Sequence, residues 1–201
     1  MKKIIFLGFI LFFALACKAQ QPTAPSIVPV EKKVEYIDAD IDIPDDTYLK
    51  DVNHLFDKYI GTWKGTYNNR NYTFLITKET DAYLNLLEDR LLMHYIITDA
   101  SGIIIANSTT NSPDSDPSIF GRYFIKNAVN NYVLSYIGKN AKCGQIGVLQ
   151  ISTSKYIPVN PTQMKMSYYQ DNVMINETDC PGFVVAEQIM PGKGGIILTK
   201  Q

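Results

Sequence analysis

Histidine is nearly missing from this sequence. His54 and His94 are the only two among 201 residues, and no cysteine lies near either in the chain. That scarcity excludes an H-E-x-x-H metal site and a cysteine–histidine pair, and no G-x-S-x-G element occurs either. Arginine is almost as rare: Arg70, Arg90 and Arg122 are the whole set, and none follows Arg122. Lysines are scattered and the formal net charge is −1, so neither a nucleic-acid surface nor a polybasic membrane patch is indicated. Beyond Ala16 no apolar run is long enough to span a bilayer as a helix.

The other chemical patterns are weak. Glu88 and Asp89 with Glu177 and Asp179 offer carboxylates, but a glycosidase needs two held at a set separation across a cleft, and solvated turns account for these four. Asp38, Asp40 and Asp42 alternate, yet an EF-hand loop needs Gly and Glu where Ile43 and Leu49 stand. Pro191 to Gly195 lacks the leading glycine and trailing Ser/Thr of a phosphate loop and reads as a turn. His54 falls among Asp51, Asp57 and Lys58 and reads as solvated; His94, in an apolar strand, reads as structural. The chain is therefore expected to be no enzyme, with no metal and no cofactor.

What is present begins with a targeting signal. Lys2 and Lys3 precede an unbroken apolar run from Ile4 to Ala16, too short for a permanent span and suited to a secretory signal. Two cleavage readings stay open. Ala14-Leu15-Ala16-Cys17 resembles a lipobox with Cys17 as the lipidated residue, although Ala14 stands where leucine is usual; cleavage after Ala19 would instead discard Cys17. Gln20 to Pro29 holds three prolines and no periodicity, as a spacer would. The expected organisation is a signal over 1–17, a flexible spacer over 18–33 and one β-rich domain over 34–201.

Three cysteines occur in all, Cys17, Cys143 and Cys180. With Cys17 lipidated or removed, an exported chain keeps an even pair. A Cys143–Cys180 disulfide would stabilise the fold by about 3 kcal/mol through the loop it closes; two free buried thiols are the alternative.

About 165 residues remain for the domain, enough for one core. Thirteen tyrosines and nine phenylalanines favour β structure. Tyr48, Leu49, Val52, Leu55, Phe56, Tyr59 and Ile60 recur at helical spacing, predicting one short amphipathic helix capped by Asp45 or Asp46 and ended by Gly61. From Gly61 the period changes to two. Trp63, Gly65 and Tyr67 share a face, Asn68 to Asn71 turn the chain, and Tyr72, Phe74 and Ile76 return along it. Ala82 to Leu92 reads as strand, turn, strand. Further strands are expected at Ile119–Ile125, Asn131–Ile137, Ile146–Ser152, Met164–Tyr169, Phe183–Glu187 and Ile196–Lys200, after a polar loop at Thr109–Ser118. Nine or ten short strands joined by turns give a mainly β fold, an antiparallel barrel or sandwich.

Two resemblances follow. "DKYIGTW" (Asp57 to Trp63) resembles the G-x-W opening of lipocalins, which implies a barrel-end tryptophan covered by an arginine of a late strand; this chain has no arginine there. "DTYLKDVNHLFDKYIGTWKGTYNNRNYTFLITK" (Asp46 to Lys78) and the terminal "IILTKQ" resemble small exported flavobacterial (Bacteroidetes-type) proteins of unknown function. That resemblance implies an exported β domain and carries no activity. In such bacteria, surface-directed lipoproteins often have acidic residues after the lipidated cysteine. Lys18-Ala19-Gln20-Gln21 has none, which favours an outer-membrane lipoprotein facing the periplasm, with free secretion as the alternative. Two functions remain. Trp63, Tyr67, Tyr72 and Phe74 could hold a small apolar or glycan ligand, or fill a core. Alternatively the domain is an envelope protein–protein interaction module without a ligand cavity.

Overall fold

The computed structural model describes residues 24–110, 118–153, 161–192 and 194–201. The signal segment, Cys17 and most of the Thr109–Ser118 loop lie outside the described residues. In chain order the elements are β1 (Ser26–Pro29), a 3₁₀ turn (Val30–Lys32), α1 (Lys33–Ala39), β2 (Thr47–Lys50), β3 (Gly61–Tyr67), β4 (Arg70–Tyr83) and β5 (Leu86–Asp99). They continue with β6 (Ile104–Asn107), β7 (Ser118–Ile125), β8 (Ala128–Ile137), β9 (Ile146–Thr153), β10 (Gln163–Gln170) and β11 (Ile196–Lys200).

Eight of the strands form an antiparallel barrel in the order β5, β4, β3, β11, β10, β9, β8, β7. Leu92 of β5 pairs with Phe120 of β7 and closes it. The expected mainly β fold is thus a barrel rather than a sandwich. The free edge of β5 is shared in series: β2 runs parallel to its start, β7 meets its middle and β6 pairs its end. Ala82 to Leu92 is strand, turn, strand as expected, with the bend at Leu84 and Asn85. Among the described residues no helix is long and apolar enough to cross a membrane.

Alternation sets which side chains fill the interior. Met164, Met166 and Tyr168 of β10 are buried while Lys165 between them is exposed. The interior of an eight-stranded barrel is either filled by its own side chains or holds one small ligand, and here aromatic rings pack through it. Phe56 stacks on Phe124 with centroids 5.2 Å apart, Phe124 lies 4.7 Å from Tyr132, and Tyr136 meets Tyr168 edge-on at 5.7 Å. The Tyr132 hydroxyl rests against Gly121 of the neighbouring strand, where any Cβ would overlap it.

Two expectations fail near the N-terminus. The helical stripe over Asp46–Ile60 is not a helix: Thr47–Lys50 is a strand paired on both sides, and turns follow to Tyr59. Leu49, Phe56 and Tyr59 still all point inward and are fully buried, so a strand plus turns satisfies the same spacing. The helix lies earlier, at Lys33–Ala39, and part of the expected spacer, Ser26–Pro29, is a paired strand. A third failure is Phe183–Glu187, which is not a strand. Pro181–Phe183 is a 3₁₀ turn with Gly182 and Phe183 at positive φ, a kink that prevents extended pairing.

The segment from Asp51 to Ile60 plugs one end of the barrel. Its shape rests on two buried carboxylates. Asp51 accepts the amides of Leu55 and Phe56 at 2.7 and 3.3 Å, and Lys78 approaches it at 3.6 Å. Asp89 of β5 accepts the Asp51 amide at 3.0 Å and the hydroxyls of Tyr48 and Thr80, each at 2.8 Å. Trp63 seals the same end. Its indole N–H donates to the Tyr59 carbonyl at 2.7 Å, and the Lys200 ammonium of β11 sits 5.4 Å above its ring.

Burial alone would raise the Asp89 carboxyl, but the Asp51 amide, the two hydroxyls and Lys78 together hold it below its ordinary value of 3.8. Its neighbour Glu88 is shifted upward, because burial outweighs its ion pair with Lys33. A depressed carboxyl stabilises the fold above its ordinary pKa, and that contribution is lost as the pH falls through the folded-state value. Glu88 has the opposite sign. Asp89→Asn, with the same shape and no charge, should therefore lower stability at pH 7 by about 2 kcal/mol. It should also narrow the loss between pH 5 and pH 3, as read from urea unfolding at both pH values.

Candidate functional site

The opposite end of the barrel is its mouth, where the β3–β4, β8–β9 and β10–β11 connections gather. The β3–β4 turn is tight: Asn68 and Asn69 both take positive φ, a conformation asparagine tolerates and a two-residue hairpin needs. The chain after β10, residues 171–192, is irregular for most of its length, and its second half folds back over the mouth as a strap.

A disulfide and a set of hydrogen bonds hold the strap. The Cys143–Cys180 disulfide, as the sequence suggested, joins it to the β8–β9 connection with Cα atoms 5.5 Å apart. The Ala186 amide donates to the Cys143 carbonyl at 2.8 Å, and the Gln145 side chain donates to the Glu187 carbonyl at 2.6 Å. The Gln188 amide nitrogen donates to the carbonyls of Gly144 and Ala186, while its oxygen accepts from Tyr168 at 3.0 Å. Tyr72 donates to the Ile189 carbonyl at 3.1 Å, and Met190 is buried beside it.

Between the strap and the β3–β4 hairpin lies a cleft of about 300 Å³. Tyr67, Asn68, Arg70 and Tyr72 form one wall; Glu187, Gln188, Met190 and Gly192 form the other. Its charges are one ion pair: the Arg70 guanidinium donates to the Gln188 carbonyl at 3.3 Å and pairs with the Glu187 carboxylate. Burial raises the Tyr72 hydroxyl above its ordinary value of 10 despite the nearby Arg70, so it stays a proton donor at neutral pH. Aromatic faces, amides and one guanidinium make this cleft suited to a small polar molecule.

The four aromatic residues expected to bind a ligand divide. Tyr67 and Tyr72 line the cleft. Trp63 and Phe74 are fully buried in the core, and Phe74 stacks behind Tyr72 at 6.1 Å. Asn68, Arg70, Glu187 and Gln188 were not foreseen. The cysteine pair was the one available signal, since a disulfide there marks the strap as a fixed element.

The remaining polar candidates are dispersed. Glu88 and Asp89 sit by the plug, while Asp179 pairs with Lys142 at the mouth, 2.9 Å away, so the carboxylates face no common cleft. Asp38 meets Lys126 at 2.8 Å. His54 is exposed on a turn, 3.6 Å from Asp57, and the His94 ring lies 2.9 Å from the Ser108 carbonyl. Among the described residues no three His, Cys, Asp or Glu side chains converge as a metal site would require.

Compared with known families, the chain belongs to a family of unknown function (DUF6705), whose model matches residues 1–201. No curated protein and no solved structure matches it.

The disulfide closes a loop across 37 positions. Replacing both Cys143 and Cys180 by serine should cost about 3–4 kcal/mol in the chain-entropy model. The barrel should persist, because its strand pairing does not involve the strap. Thermal unfolding should show a single transition at lower temperature, and exchange of amide hydrogens should rise first at Ala186 and Gly195.

Proposed function

We propose that this chain is an exported, lipid-anchored envelope protein that binds a small polar, glycan-like ligand at the barrel mouth and catalyses nothing. The observation that carries the reading is the cleft between Tyr67, Arg70 and the strap. Tyrosine faces beside amide and guanidinium donors are the groups that hold a sugar, stacking on its apolar side and bonding its hydroxyls. The ring-filled interior argues against an apolar ligand inside the barrel.

Export and anchoring rest on the N-terminal signal, the Cys17 lipobox and the resemblance to exported flavobacterial proteins. The barrel geometry suits such an anchor. β1 joins the domain beside the start of β5, at the plugged end, whereas the cleft opens at the start of β4, where Arg70 pairs with Asp99. A tether at Cys17 would leave the cleft facing away from the membrane, on the periplasmic side in the outer-membrane reading. One observation favours a protein partner instead: Phe183, Val184 and Val185 form an exposed apolar run on the strap.

Native mass spectrometry of the mature protein, purified from its own envelope, tests the reading. A bound adduct of a few hundred daltons should be present, and Tyr67→Ala should abolish it in a folded protein. A clean apo mass for the unsubstituted protein would contradict ligand binding.

A further inference from the structure

We infer that the cleft is built for a ligand bearing a carboxylate, an acidic sugar, and that Glu187 occupies the ligand's carboxylate position on Arg70. This rests on the binding reading above and names the chemistry of the same site.

The inference comes from comparing two arginines. Arg90 is held by two carboxylates of the adjacent strand, Glu79 and Asp81, each at 2.8 Å and both on β4. It is a structural cross-link between neighbouring strands. Arg70 is held differently. Its side chain is 24% exposed and braced by the Gln188 carbonyl, yet its carboxylate partner, Glu187, is 76% exposed and reaches it from the strap through one oxygen.

Among the described residues no second carboxylate pairs with the guanidinium, and the Tyr72 hydroxyl lies beside it. Asp99, paired with Arg70 across the strands, turns its Oδ1 to the Ser101 amide and hydroxyl and the Ile103 amide, and it forms no ion pair with Arg70. An exposed ion pair contributes at most about 1 kcal/mol, so an incoming carboxylate displaces Glu187 at small cost. Unlike a single-oxygen contact, that carboxylate can take two parallel bonds from the planar fork. The Tyr67 ring and the Asn68 amide then face the body of the sugar, because the polar atoms of Gln188 and Tyr72 are already engaged.

The test is a pair of titrations of the ¹⁵N-labelled mature protein, disulfide intact, with D-glucuronate and with D-glucose. Glucuronate should shift the Tyr67, Asn68 and Arg70 amides and bind about tenfold or more tighter than glucose, the worth of a charge-assisted pair. Glu187→Gln removes the internal competitor and should tighten glucuronate about three- to fivefold while leaving glucose unchanged. Arg70→Gln should abolish the preference, and Arg70→Lys, which keeps the charge but not the fork, should recover only part of it. Equal binding of the two sugars at these amides, or no response to Glu187→Gln, overturns the carboxylate assignment and leaves the binding reading standing. No shift at the cleft with either sugar in any variant overturns both.

Discussion

The structure hangs on the placement of one indole. Trp63 lies on the first strand of the barrel, donates its N–H to the plug at Tyr59, and lies beneath Lys200 of the last strand. One side chain therefore joins the start of the barrel, its end and the segment that closes it. A buried indole needs a partner for its single donor, and the turn ending at Tyr59 supplies that partner as a backbone carbonyl. The plug forms no regular element: the Asp51, Leu55 and Phe56 amides are held by the Asp89 and Asp51 carboxylates, while those of Val52, His54, Asp57 and Tyr59 bond nearby carbonyls in turns.

From that closure follows where function can be. A barrel of this size filled by Phe56, Tyr59, Phe74, Tyr95, Phe124, Tyr132 and Tyr136 has little interior left to offer. The plugged end is committed to structure. The mouth differs: its cover is a strap fastened at a few points, and between those points Tyr67 and Arg70 remain reachable above the buried Tyr72. Fixing the strap through the disulfide and Gln188 gives the cleft one wall of strands and one wall of constrained loop. Preorganisation of that kind reduces what binding must spend on ordering.

Much of this is legible in the sequence. Strict alternation identified β10 from Met164, Met166 and Tyr168, and the period change at Gly61 located the first barrel strand. The plug was misread because Leu49, Phe56 and Tyr59 fall seven and three positions apart, a spacing that a helix produces and that one strand residue followed by turns produces equally. Phe183–Glu187 has strand-forming side chains, but the positive φ values at Gly182 and Phe183 bend the chain out of any sheet. The cleft was half legible. Tyr67 and Tyr72 share a face with Trp63 and so suggested themselves, whereas Arg70 meets Glu187 across 117 positions, a distance no local pattern spans.

The most direct measurement of the central claim, a filled barrel that binds only at its mouth, is a crystal structure of the protein purified from its native source. Electron density for a bound molecule should lie between Tyr67, Arg70 and Gln188, with the Trp63, Phe74 and Tyr95 rings packed as described. Density for a ligand among Phe74, Tyr95 and Tyr136, inside the barrel, would contradict the account.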